Sequence, residues 1–222
     1  MSITINNDNI KDVYKGNIKI AKIFKGSELL YLSQMYPSGT VLFENSAAGT
    51  YTLNVTKPTF ADIILVGGGG GGATSSWSSG NGSGAGGGSG GYSKIEKVLI
   101  EAGEYTVVVG AGGARNVQYE HTRATAGTGG TSSFMTYTAE GGTGGDCAHQ
   151  AGIRIAGVGG TGLTQNGNNG NTGSGYNVGF PGGASVYNGY GKGGNGTATN
   201  PGGSLIGNTT NGGSGYVKII TR

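Results

Sequence analysis

Asp146, Cys147 and His149 put a carboxylate, a thiol and an imidazole within four residues, a grouping that could hold a metal ion or prime a nucleophile. Metal sites usually draw ligands from separated parts of a chain, and His121 is the only other histidine. A surface loop is the simpler reading, and no metal is expected. Two carboxylate pairs, Glu101 with Glu104 and Glu140 with Asp146, could be arranged for sugar hydrolysis. The first pair falls in a tight turn and the second among glycines, so both read as solvated acids. Ile153-Arg154-Ile155-Ala156 runs into Gly157-Val158-Gly159-Gly160-Thr161-Gly162, a literal dinucleotide fingerprint, and Val109-Gly110-Ala111-Gly112-Gly113 nearly repeats it. The motif works only where a helix follows, with an acid about 20 residues further on. Here Leu163-Thr164-Gln165-Asn166-Gly167 follows, and no acid occurs after Asp146. Gly191-Lys192-Gly193 lacks the spacing of a phosphate loop, and no nucleophile elbow joins a strand to a helix. The chain reads as no enzyme, with no catalytic residue and no cofactor.

Aromatic residues are what remains. Trp77 sits in Thr74-Ser75-Ser76-Trp77-Ser78-Ser79, a polar stretch between two glycine runs. Tyr119, Tyr176, Phe180, Tyr187 and Tyr190 lie in similar settings, with Arg115, His121 and Arg123 near the first. Flat rings beside amides, hydroxyls and guanidinium groups suit saccharides or protein loops. Trp77, Tyr119, Arg123, Tyr176, Tyr187 and Tyr190 are therefore the candidate residues for binding a saccharide or protein surface. For the tyrosines the competing reading is that their rings cap a glycine framework.

The elements that must position these residues are dominated by glycine. There are 52, nearly all after residue 61. Ordering them costs on the order of 50–100 kcal/mol, at about 1–2 kcal/mol each. Such segments either stay disordered or pack backbone on backbone where a Cβ would not fit. Charged residues make up only 11% of the chain, which argues against ordinary disorder. Irregular glycine spacing and four prolines exclude collagen. Apolar runs such as Phe60-Ala61-Asp62-Ile63-Ile64-Leu65-Val66 and Tyr105-Thr106-Val107-Val108-Val109 return between the glycine blocks. They can bury enough surface to hold those blocks as extended left-handed threefold helices, paired side by side through their N–H and C=O groups.

No helical period is visible, so the fold reads as all-β. Residues 1–35 read as a small N-terminal β-hairpin module, a three-stranded meander at about 10–14, 17–24 and 27–32. Its repeat is Val13-Tyr14-Lys15-Gly16-Asn17 echoed by Ile23-Phe24-Lys25-Gly26-Ser27. Residues 36–222 form a β-sandwich-like, glycine-rich domain with polyglycine II-type segments, entered through a linker around Pro37-Ser38-Gly39. Within it, 41–43 and 51–55 read as a hairpin, as do 92–100 and 105–109 across Glu101-Ala102-Gly103-Glu104. Residues 133–139, 154–158 and 216–221 read as further strands. The net charge of +3 is concentrated in Lys11, Lys15, Lys19, Lys22 and Lys25, too little to favour nucleic acid. A single cysteine closes intrachain disulfides. No membrane span or secretory leader is visible, so work outside a cell would follow release by lysis.

Several pieces in order resemble the glycine-rich domain of phage tail-fibre and tail-tip proteins. They are Gly39-Thr40-Val41-Leu42-Phe43, Gly49-Thr50-Tyr51-Thr52-Leu53, Ile63-Ile64-Leu65-Val66-Gly67-Gly68-Gly69-Gly70, 102–113, and Gly215-Tyr216-Val217-Lys218-Ile219. The glycine blocks also resemble the polyglycine sandwich of the tip adhesin of T-even phages, and residues 1–33 a short hairpin module of phages of Gram-positive hosts. The resemblance implies a virion protein, placed on a tail or surface appendage and exposed to the medium after lysis. Its N-terminal module would dock on other virion proteins, and its body would present loops to a host polysaccharide or protein. A homotrimer is compatible with this; membrane insertion is not expected. A purely structural decoration protein is the alternative. Ice binding is disfavoured by the irregular Tyr and Asn insertions.

Overall fold

The computed structural model describes residues 36–75, 82–118, 124–149, 155–172, 180–199 and 208–222, together with the short strands Val13–Lys15, Ile18–Ile20, Lys22–Lys25, Glu28–Leu32 and Leu205–Ile206. No helix occurs among them, and the fold is all-β.

The expected meander is instead two separate hairpins. Val13–Lys15 pairs with Ile18–Ile20, and Lys22–Lys25 with Glu28–Leu32. The registers Lys15↔Ile18 and Lys25↔Glu28 leave two residues for each connection. Those residues, Gly16-Asn17 and Gly26-Ser27, are the turn chemistry two-residue hairpins require. The sequence echo therefore marks one hairpin made twice, and Ile18–Ile20 and Lys22–Lys25 belong to different two-stranded sheets where one continuous middle strand is expected.

Beyond residue 36, two four-stranded sheets face each other. One has the order Tyr92–Ile100, Thr59–Val66, Tyr216–Thr221, Val41–Asn45; the other Tyr137–Ala139, Ser132–Phe134, Gly103–Val109, Gly49–Val55. Alternate residues of both sheets point inward, and Val55, Ile63, Leu65, Ile100, Val107, Phe134, Val217 and Ile219 form their common core. Both expected hairpins prove to be corners between the sheets. Val41–Asn45 pairs with Tyr216–Thr221 while Gly49–Val55 pairs with Gly103–Val109; Tyr92–Ile100 pairs with Thr59–Val66. The true hairpin lies inside the single strand expected at 133–139, where Met135 turns the chain with φ 53°. The expected linker is part of the base: Gly39 N–H donates to Thr221 O, and Thr221 N–H to Thr40 O.

The sandwich strands continue into glycine threads. From Gly67 to Gly69 the N–H groups donate in turn to Gly91, Gly130 and Gly213; from Gly70 to Gly72 they donate to Gly88, Gly127 and Thr210. The same three neighbours recur every third residue, which is the repeat of polyglycine II. The carbonyls face three others: Gly68 and Gly71 accept from Gly142 and Gly145, Gly69 and Gly72 from Gly113 and Asn116, and Gly70 from Gly194. Six neighbours thus surround thread 67–72. Thread 84–91 is surrounded in the same way.

Thread 67–72 has no direction left for a side chain, and thread 84–91 admits only the small, fully buried Ala85 and Ser89. Outer threads keep one side free, and there every third residue is not glycine: Glu140 and Thr143, or Ile155, Val158 and Thr161, all exposed. That spacing explains why 155–158, expected as a strand, is a thread instead. At the far end short strands close the lattice, ordered Ala124–Thr125, Asp146–His149, Gly82–Gly84, Ala198–Thr199, Leu205–Ile206, with Ala73–Ser75 parallel to Asn116–Gln118.

Candidate functional site

Six or so residues of thread, at about 3.1 Å each, separate the two ends by about 20 Å. At the sandwich end the chain enters through Tyr36, beside Thr56, whose N–H donates to the Tyr36 hydroxyl. At the opposite end lie Ser75 and Gly82, Gln118 and Ala124, His149 and Ile155, Thr172 and Phe180, Thr199 and Leu205. Hydrogen bonds gather them into one layer. Asp146 N–H donates to Ile155 O, Asn171 to Pro181, and Thr197 to Ala73. Trp77, Tyr119, Arg123 and Tyr176 belong to the sequence between these pairs and lie outside the described residues. Arg115, just before the same end, donates from Nη1 to Thr209 O at 3.1 Å.

Tyr187 and Tyr190 are described, and they lie together about 20 Å away, where the sandwich gives way to the threads. Asn188 and Gly189 carry φ of 47° and 85°, and Tyr190 N–H donates to Tyr187 O. This is the two-residue turn that Asn-Gly favours. Ser185 Oγ ties it down, donating to the Tyr190 carbonyl at 2.6 Å and accepting from Tyr187 N–H. Below it, Tyr92 and Tyr216 flank Val66 on adjacent strands, two strand spacings or about 10 Å apart. That gap admits one ring. Tyr187 fills it, 5.0 Å from Tyr92 and 5.9 Å from Tyr216, and Tyr190 stacks on Tyr216 at 4.3 Å. Four rings form one rank. Tyr187 therefore has both faces covered, and Val66 beneath is fully buried.

Sequence reading missed Tyr92, Tyr216 and Glu44 as members of this cluster. The signal that could have found it is the Asn188-Gly189 dipeptide between two tyrosines. The Tyr216 hydroxyl donates to Glu44 Oε1 at 2.5 Å, and Lys218 Nζ lies 3.1 Å from Oε2. The phenol's hydrogen bond, then Lys218, hold the Glu44 carboxyl below its ordinary 4.5. Burial, then the bond to Glu44, push the Tyr216 phenol up. A carboxyl depressed in the folded state contributes stability above its unfolded value, lost as pH falls through the folded one. Wild type should thus lose Tm more steeply than Glu44→Gln between neutral pH and the region below 4.5. Thermal melts of both proteins across that range check this; parallel curves would rule it out.

The chemical decoys take structural places. Gly157 and Gly160, within the fingerprint, donate their N–H groups to Gly86 O and Ser89 O. Those donors are committed to the lattice. Glu140 and Asp146 stand six residues apart along one thread, about 19 Å, against about 5–10 Å for a glycosidase pair. Glu140 instead accepts a hydrogen bond from the Thr161 hydroxyl. Cys147 is buried with Ala73 and Ala126, its thiol donating to Ala124 O at 3.2 Å.

A family model described as a glycine-rich domain matches residues 45–220. No curated protein matches the chain.

Proposed function

The chain belongs to the glycine-rich domain family, and from the resemblance of its ordered strand and glycine pieces to phage tail-fibre and tail-tip proteins we propose a phage virion protein of that kind, a non-enzymatic adhesin that recognises a host surface receptor. One observation carries the reading. Tyr36 lies at the sandwich end, and the described residues Ser75, Gly82, Gln118, Ala124, His149, Ile155, Thr172, Phe180 and Thr199 gather at the other. A rigid body with attachment at its base and clustered connections at its tip suits display. Backbone hydrogen bonds build the body, so tip sequences can change without disturbing a core. Four of the six aromatic and basic candidates, Trp77, Tyr119, Arg123 and Tyr176, belong in sequence between those flanking residues and outside the described ones. Their chemistry fits a saccharide or protein surface. Residues 1–35 would hold the adhesin on the tail, which places the tip in the extracellular medium once the host lyses.

The purified chain is expected to block adsorption of the phage to its host. Trp77→Ala combined with Tyr119→Ala should weaken that block about tenfold or more, as loss of interface anchors does, while leaving Tm unchanged. Full adsorption at saturating protein would overturn the adhesin reading and leave a purely structural place in the virion.

A further inference from the structure

Strand edges expose unpaired N–H and C=O groups and invite pairing with another chain, so proteins shorten, bend or charge them. Three of the four edges of this sandwich are treated in that way. Tyr137–Ala139 is three residues long. Tyr92–Ile100 shifts register between Ile95 and Val98, where Lys97 takes φ 56°, and it carries Lys94, Glu96 and Lys97. Val41–Asn45 faces a register shift at Ile219/Ile220 and carries Glu44.

The fourth edge, Gly49–Val55, has none of these protections. Its seven residues keep unbroken register with Gly103–Val109 and include no charge and no proline. Among the described residues no strand pairs with its open side. A second feature points the same way. Gly49–Val55 and Val41–Asn45 are the terminal strands of the two sheets, with Phe43 and Tyr51 between them, ring centroids 5.6 Å apart and only partly buried.

We propose that Gly49–Val55 is an interface that pairs antiparallel with the same strand of a second copy, joining two sheets into one. The strand is its own complement. A two-fold axis at Thr52 pairs all seven residues and preserves the inward and outward faces. Thr52 then opposes Thr52, Thr50 opposes Asn54 outside, and Tyr51 opposes Leu53 inside. Hydroxyl pairs and aromatic–aliphatic pairs are favourable across strands, and no like charges meet. The half-covered Phe43–Tyr51 seam lies beside this edge. This interface is independent of the tip and of the adhesin reading.

The test uses the full chain in sedimentation equilibrium. Wild type should dimerise with rising concentration. Thr52→Lys sets two cations face to face across the axis and should weaken dimerisation about tenfold or more, as should Thr52→Glu. An equimolar mixture of T52K and T52E should restore a dimer. Thr52 is exposed, so all variants should keep the wild-type monomer Tm. Three outcomes would overturn the proposal: a wild-type monomer at its solubility limit, a trimer that survives T52K, or a mixture that stays monomeric. A monomer whose edge amides resist hydrogen exchange would also overturn it, because a segment of the same chain would then occupy the edge.

Discussion

Gly70→Ala is expected to yield no folded protein. A Cβ at residue 70 would stand 2.0 Å from Thr143 O, 2.3 Å from Thr143 C and 2.8 Å from Gly142 O. All three are backbone atoms, so no side chain can rotate out of the way. Thread 140–145 cannot step back either. Gly142 and Gly145 donate to Gly68 and Gly71, while Gly88 and Gly91 donate to Thr143 and Glu140. Moving the thread by an ångström strands four hydrogen bonds among buried backbone. At about 1–3 kcal/mol for each buried group left unsatisfied, the cost is on the order of 4–12 kcal/mol. Whole-domain stabilities are about 5–15 kcal/mol, so one methyl group is enough. Gly39→Ala is the control. Nothing lies within 4 Å of its Cβ, and its φ of 84° is the only penalty, about 1–2 kcal/mol. Soluble yield and far-UV circular dichroism of the two variants separate the cases. A Gly70→Ala protein melting within a few degrees of wild type would refute enclosure of this thread.

The contrast between those glycines also shows what the sequence makes legible. Apolar runs at 60–66 and 105–109 announce buried strands, and their alternation with glycine blocks implies an ordered, all-β body. Which strands pair is not local information. Glu101-Ala102-Gly103-Glu104 reverses the chain equally well in a hairpin or between two sheets, and the choice rests with Thr59–Val66, forty residues upstream. The thread at 155–158 reads as a strand because Ile155 and Val158 are β-formers. Only their spacing of three, continued at Thr161, distinguishes it, and that spacing acquires meaning once neighbouring threads are in place. Contacts such as Gly72 with Thr210 join residues with no local relation. Connectivity decides where the glycine runs lead: 67–72 continues from Thr59–Val66, whereas 157–162 and 167–170 are joined by the turn at 163–166. For Trp77, Tyr119, Arg123 and Tyr176 the sequence identifies chemistry, and all four lie outside the described residues.

Tyr187→Ala is expected to cost about 2–4 kcal/mol, the larger loss of the rank's two rings that lie outside the strands, Tyr187 and Tyr190. Truncating a fully buried aromatic costs about 3–5 kcal/mol, and Tyr187 is only half-buried, which lowers the figure. Two stacking partners, Tyr92 and Tyr216, are lost at once, each contributing about 0.5–1.5 kcal/mol beyond area. The damage also spreads. The 187–190 turn leads into Gly191, whose N–H donates to Ser214 O and whose carbonyl accepts from Gly90. Three residues on, Gly194 bonds both enclosed threads, donating to Gly70 O and accepting from Gly87. Loosening the turn should therefore accelerate exchange of the Gly194 amide, far from the ring itself. Tyr187→Phe keeps both stacked faces, and no hydrogen bond of the Tyr187 hydroxyl is among the described contacts; its stability should stay within about 0.5 kcal/mol of wild type. Urea unfolding of the two variants, with hydrogen exchange at Gly194, makes the comparison. If Tyr187→Ala were as stable as wild type, the rank would be ornament, and Val66 would need another cover. If it is destabilised while the surviving folded fraction still blocks adsorption, the tyrosines of the turn hold the framework and the receptor chemistry belongs to the tip.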